Sequence, residues 1–388
     1  MRRVLGVLLA AAMAGPAAAQ VPLDPKTPSL LIWTPQQQRD GYRAMETLYQ
    51  VTVIPRGDHV RALPPAARHF DPPVSVGGKT FTVDGFMAAD SASGVLVLKD
   101  GKVLLERYAL GRKPEDRWTS FSVAKSVTST LVGAAIQDGK IRSLEAPVTD
   151  YIPELKGSGY DGVTVRQLLT MSSGVRWNEN YEDPNSDVAR AGSGAVEPGI
   201  NPIVSYMRRL RRANPPGSKF TYNTGETDLV GVLVAKATGK GLAEYASEKI
   251  WKPFGMERDG IWITDRAGHE RGGCCMSMTL RDYGRLGLFM LEGGTADGKP
   301  VLPPGWTAEA TGRRIDNGGG GYGYFWWIRS QGGYAAEGIY GQAIVVIPEE
   351  RLVVAINSAW PSADTPELWA RQTEFVEAIR AAARDVAN

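Results

Sequence analysis

One short run of residues has the composition of a covalent catalyst: Ser122-Val123-Ala124-Lys125. On a helix, residues three apart share a face. Lys125 therefore stands one turn above Ser122 and can reach its hydroxyl. If Ser122 lies in the first turn, the unpaired N–H groups and the helix dipole favour developing negative charge there. An ordinary lysine has a pKa of about 10.4, so a proton-accepting Lys125 needs a downward shift of roughly three units, or about 4 kcal/mol. Two solvated residues on an amphipathic helix would read the same way, so the motif needs support from elsewhere in the chain.

Two further segments offer that support. Phe220-Thr221-Tyr222-Asn223-Thr224-Gly225 follows Pro215-Pro216-Gly217 and precedes a helical pattern. The hydroxyl of Tyr222 would serve as a proton shuttle if neighbouring cations lower its pKa. Ala336-Glu337-Gly338-Ile339-Tyr340-Gly341-Gln342 precedes a strand pattern, and its glycines let backbone approach a ligand closely. A backbone N–H there, paired with that of Ser122, would make an oxyanion hole, where losing one donor typically costs about 10²–10³ in rate. Taken singly, the first segment also reads as a tyrosine packed on a helix start, and the second as a glycine-containing turn. Other chemistries find less. The three histidines, His59, His69 and His269, lie in no catalytic setting, and there is no Gly-x-Ser-x-Gly elbow. No zinc-like spacing or glycine-rich phosphate loop occurs, so no cofactor is expected.

The elements that must position these residues follow from pattern. Val95–Leu98 and Val103–Leu105 flank Asp100-Gly101 and predict a hairpin over 94–110. Val123, Val127, Leu131, Ala134 and Ala135 form a helical stripe ended by Asp138-Gly139, with Thr119 or Ser120 as the expected N-cap. Helices continue to about Gly255, interrupted by a polar loop from Gly174 to Pro202. Long loops of this kind are often functional. Strand patterns return at 322–328, 343–347 and 352–356, and a helix over 367–386 closes the chain. Strands at both ends with helices between them imply an α/β (α+β) fold: one antiparallel sheet flanked by helices, with a helical subdomain. The expected organisation is a signal peptide over 1–19, an N-terminal extension over 20–90, a sheet lobe from 91–118 and 275–388, and a mainly helical lobe over 119–274. Within the extension, 35–50 reads as a helix.

Composition sets outer limits. The chain has 388 residues, 43% hydrophobic and 22% charged, as expected of a globular protein of two lobes or one domain with an insertion. Arg2-Arg3, the apolar run Val4–Ala14 and Ala17-Ala18-Ala19 fit a secretory signal cleaved near Ala19. The mature protein would then be periplasmic or secreted. The run is too short to span a bilayer, and no other segment is long and apolar enough. Cleavage would take the net charge from +2 to about zero, which gives no global electrostatic case for binding nucleic acid. The basic cluster Arg208-Arg209 and Arg211-Arg212 reads first as a solvated helix face. Cys274 and Cys275 are adjacent, so they form no disulfide framework and are expected to be two small buried residues.

In their order, these segments resemble the serine β-lactamase and penicillin-recognising superfamily, in its class C-like branch. The resemblance rests on Phe121–Lys125, Pro147–Pro153, Val165–Val175 and Pro216–Tyr222, and covers about Gly94 to Ser358. It implies an acylated Ser122, proton handling by Lys125 and Tyr222, and an oxyanion hole from the N–H groups of Ser122 and Ile339. The substrate implied is a small-molecule amide or ester; nothing in the chain indicates the oligomeric state. Penicillin-recognising members carry Lys or His two residues before the glycine of the last motif, where this chain reads Ala336-Glu337-Gly338. Thr224 stands where that superfamily usually has Asn. Both departures weigh against β-lactamase or D,D-peptidase action. Glu337–Gln342 and the 177–186 loop are most similar to the 6-aminohexanoate-dimer hydrolase group. There a loop tyrosine contacts substrate at the position of Tyr181, and Trp177, Thr224 and Gly338 become further substrate-binding candidates. Tyr181 reads equally well as a loop-packing aromatic. The acid that assists nylon-oligomer cleavage in some members would fall near Gly192, so that activity is not expected. Retention of Ser122, Lys125 and Tyr222 together favours an enzyme over a pure binding protein, while an acylated sensor that never turns over would keep all three. The aromatic run Tyr322, Tyr324, Phe325, Trp326 and Trp327 is expected mainly in the core, with part of it lining a pocket.

Overall fold

Leu96 and Leu98 pack into one hydrophobic core and Val95 and Val97 into another. Alternation along a strand sends successive side chains to opposite faces. A strand that is apolar at every position therefore lies in a sheet covered on both sides. The computed structural model, which describes residues 29–191 and 196–384, has this arrangement. The strands are β1 (Ala92–Lys99), β2 (Lys102–Tyr108), β3 (Trp327–Ile328), β4 (Tyr334–Gly338), β5 (Gln342–Ile347) and β6 (Leu352–Ser358). They form one antiparallel six-stranded sheet in the order β3-β4-β5-β6-β1-β2. The early hairpin thus pairs with the last strand through β1 and β6. Its turn places Asp100 and Gly101 at φ 51° and 76°, the left-handed geometry that Asp-Gly accommodates.

The helices that bear on the site are α1 (Val123–Gln137), α2 (Thr224–Thr238), α3 (Leu280–Leu291) and α4 (Pro366–Arg384). α3 covers one sheet face. It comes so close that a Cβ on Gly287 would stand 2.4 Å from Val353 Cγ1. α4 covers the other face, where Phe375 stacks on Phe86 with centroids 3.9 Å apart. α1 and α2 pack against each other inside the first core, and α1 also packs against β4 and β5 of the sheet.

Several expectations need correction. The cap of α1 is not Thr119 or Ser120. Thr119 pairs with Ser277 in a second, four-stranded sheet, and Ser120 Oγ accepts a hydrogen bond from Met276 N at 2.9 Å. Both residues are committed before the helix begins, so the N-cap position falls to Ser122 itself. The expected strand over 322–328 is reduced to Trp327–Ile328, because Phe325 takes φ 59° and turns the chain inward. Four of its five aromatic residues are buried and Trp327 is half-buried, in line with a mostly core role. The helix expected over 35–50 divides into Pro35–Gly41 and Met45–Leu48. Cys274 and Cys275 are not separate thiols: their sulfurs are joined as a vicinal pair. Such a pair closes a minimal loop, so it still provides no framework across the fold. The signal segment, Gly192 and the last residues of the expected C-terminal helix lie outside the described residues. Among the described residues, no helix is long and apolar enough to cross a membrane, and no cluster of residues suits a metal ion.

Candidate active site

A sharp turn delivers the nucleophile candidate. Trp118–Thr119 is held as a strand, Phe121 is forced to φ 43°, and Ser122 opens α1. A bulky residue at positive φ is strained, and such strain concentrates at functional sites. Phe121 is held by T-shaped contact with Tyr42, centroids 5.2 Å apart, deep in a third apolar cluster. One turn along α1, Lys125 Nζ donates to Ser122 Oγ at 3.1 Å and to the carbonyl of Gly273 at 2.7 Å. That carbonyl is itself fixed. Gly273 N donates to Asp228 Oδ1 at 2.8 Å, and Asp228 pairs with Arg271 at 2.7 Å.

Burial lowers the pKa of Lys125 to about 8; Glu179 and Asp228 oppose the fall and Arg271 assists it. About a tenth of the lysine is then neutral at pH 7, against roughly 0.04% for an ordinary one. Tyr222 moves the other way. Burial first, then Glu179, raise its phenol well above the usual range, and only its contact with Ser122 pulls it down. The condition of a cation-lowered pKa is therefore not met: burial dominates, carboxylates outnumber cations around the ring, and Lys125 Nζ lies 5.3 Å from its centroid without reversing the balance. Tyr222 is therefore a neutral phenol, held by stacking on Trp327 with centroids 5.7 Å apart. Behind it, Asn223 caps α2, and buried Glu226 accepts from Ser173, Tyr160 and Asn223.

Ser122 stands where two cavities meet. The first, about 650 Å³, is lined by Ser122, Tyr222, Trp327, Gly338 and Ile339 together with Glu179, Tyr181 and Glu337. The second, about 270 Å³, reaches past Lys125, Thr224 and Cys274-Cys275 to Leu30, Leu31 and Tyr49. Gly338 is required by crowding, since a Cβ there would stand 2.5 Å from Ser120 O and 2.9 Å from Ser122 N. This close approach brings the backbone after β4 beside that of Ser122. Tyr181 and Ile339 line both cavities. Trp177 lines neither, contrary to expectation; it is buried and gives its indole N–H to Glu179.

Glu179 escaped notice in the sequence. Its carboxylate accepts from Trp177 Nε1, from Tyr181 OH at 3.0 Å, and from both Thr224 N, at 3.0 Å, and Thr224 Oγ1. Thr224, Trp177 and Tyr181 thus converge on one acid that faces the first cavity. Burial raises the pKa of Glu179, and Lys125, the two Thr224 donors and Trp177 pull it partly back. Because Glu179 raises the pKa of Lys125, Glu179→Gln should shift the acid limb of kcat/KM to lower pH by about one unit. It should also cost about 1–3 kcal/mol, since the amide nitrogen opposes donors. A pH–rate profile and a thermal melt check both.

A buried lysine bonded to a serine at a helix start, backed by a half-buried tyrosine and a glycine-bearing strand, defines a serine hydrolase. The relatives agree. The Beta-lactamase family model matches residues 82–377. The chain is 35% identical over 288 residues to the 6-aminohexanoate-dimer hydrolase of Paenarthrobacter ureafaciens, covering 70% of this chain and 73% of that one. It is 29% identical over 186 residues to the esterase EstB of Burkholderia gladioli, about half of either chain. In fold it is similar to a Bacillus anthracis structure named as a candidate 6-aminohexanoate-dimer hydrolase, with a TM-score of 0.78 and 24% identity over 89% of this chain and 94% of that one. It is also similar in fold to a class C β-lactamase of Rhodobacter sphaeroides, with a TM-score of 0.59 and 18% identity over 76% of this chain and 97% of that one. This chain belongs to the beta-lactamase family.

Proposed function

We propose that the protein cleaves a small amide or ester through an acyl-enzyme on Ser122. The observation that carries this reading is the 3.1 Å contact from Lys125 Nζ to Ser122 Oγ, on a lysine held near pKa 8. Neutral Lys125 takes the hydroxyl proton as Oγ attacks the carbonyl carbon. The N–H groups of Ser122 and Ile339 hold the oxyanion. Tyr222, a phenol at working pH, passes a proton to the departing amine or alcohol as its bond to carbon breaks, and is reprotonated from Lys125. Water then attacks the acyl ester by the reverse relay and frees Ser122. The substrate class follows the relatives' names, a 6-aminohexanoate-dimer hydrolase and an esterase. Ala336, in place of the cation that would hold a substrate carboxylate, with the acid Glu337 beside it, argues against β-lactams. The leader features at Arg2-Arg3 and Ala17–Ala19 support export with cleavage near Ala19.

The test is hydrolysis of 4-nitrophenyl butyrate alongside intact mass after fluorophosphonate treatment. Turnover together with a single label on Ser122 is the expected result. A label without turnover would instead favour an acylated sensor, and neither signal would sink the reading.

A further inference from the structure

The first cavity holds two carboxylates of opposite condition. Glu179 has both oxygens occupied by protein donors. The carboxylate of Glu337, half-buried on β4 beside Gly338, has neither a hydrogen bond nor an ion pair among the described residues. Desolvation pushes its carboxyl up to about 7; Arg329 pulls it down and Asp364 adds to the rise. Arg329 acts on it only from beyond ion-pair distance: its guanidinium donates to Glu377 at 2.6 Å, and its Nε is buried without a partner. At the rim stand Asp364, which takes one bond from Trp369 Nε1 at 2.5 Å, and the exposed Glu182. No lysine, arginine or histidine lines this cavity, and Lys125 opens into the other one.

A carboxylate withdrawn from water without a partner is costly, and a ligand cation would relieve the cost. The walls suit such a guest: Tyr181, Tyr222, Trp327 and Trp369 present aromatic surface, which attracts alkylammonium groups. We propose that the substrate carries an ammonium group on one side of the scissile bond, and that Glu337 binds it, with Asp364 at the mouth. This rests on the hydrolase reading of the same cavity and specifies its substrate as a cationic amide or ester. The less polar remainder of the substrate runs past Ser122 into the second cavity, toward Leu30 and Leu31.

The test is inhibition of 4-nitrophenyl acetate hydrolysis at pH 8 by three competitors of equal length: n-butylammonium, n-butanol and n-butyrate. Butylammonium is expected to compete about 10–100-fold more tightly than butanol, the range of one charge-assisted hydrogen bond, and butyrate to be weakest. In Glu337→Gln, with folding checked by circular dichroism, the ammonium advantage should shrink to within about threefold; Asp364→Asn should reduce it by a smaller factor. Equal inhibition by butanol and butylammonium, or tightest inhibition by butyrate, overturns the proposal. So does an ammonium preference that survives both substitutions. Calorimetric titration of Ser122→Ala with the same three compounds reads the preference without turnover. A failure of hydrolysis would therefore count against the catalytic reading alone.

Discussion

Ser122→Ala is expected to lower kcat on a nitrophenyl ester by roughly 10⁵–10⁶-fold, the scale seen when a covalent nucleophile is removed from a machinery that acts as a unit. The same substitution should abolish the fluorophosphonate label while leaving the melting temperature within a few degrees. The asymmetry follows from the contacts. Ser122 is half-buried at the junction of two cavities, and its hydroxyl accepts from Lys125. Removing the oxygen leaves Lys125 its bond to the Gly273 carbonyl, and Tyr222, which loses its contact with Ser122, still faces the first cavity, where water can replace it. Full activity in Ser122→Ala would mean that another group attacks the substrate.

The second large effect belongs to Lys125. A base works only when unprotonated, so kcat/KM should climb with pH and level off above about 8, the value to which burial lowers the ammonium. Below that pH each unit should cost about tenfold. Lys125→Arg keeps the charge and much of the volume, but a guanidinium stays protonated at any usable pH. Its kcat should fall by about 10³–10⁴-fold with no recovery as pH rises. A flat pH profile in the parent protein, or recovery of the arginine variant above pH 9, would remove Lys125 from the proton path.

The parts of this design that were legible in the sequence are those set by local pattern. The Asp100-Gly101 hairpin and the α1 stripe ending at Asp138-Gly139 need only their own residues, and both formed near the expected bounds. The spacing of Ser122 and Lys125 also survives, because three residues on a helix fix a distance whatever surrounds them. What depends on distant neighbours was not legible. The cap of α1 moved because Met276–Met278 claims Thr119 and Ser120 from across the chain. The pKa of Tyr222 rises, where a shuttle helped by cations would need it lowered, because the fold buries the phenol and then brings Glu179, Glu337 and Asp364 to it from three separate segments. Glu179 itself carries no motif. It lies in a polar loop, and only the fold brings Thr224 and Tyr181 onto its oxygens. The one available signal was the length of that loop.

The sheet that joins β1 to β6 has a consequence for when activity can begin. Ser122 and Lys125 are made early in synthesis, while Ile339 and Glu337 belong to the last strands. Their sheet closes only when the C-terminal segment reaches the hairpin over 92–108. Pairings between the two ends of a chain form late and slowly. A partly synthesised or truncated chain would therefore hold Ser122 and Lys125 without the Glu337, Gly338 and Ile339 wall of their cavity, and so without the oxyanion partner and cation subsite proposed above. The reactive group stays idle until the whole polypeptide has folded.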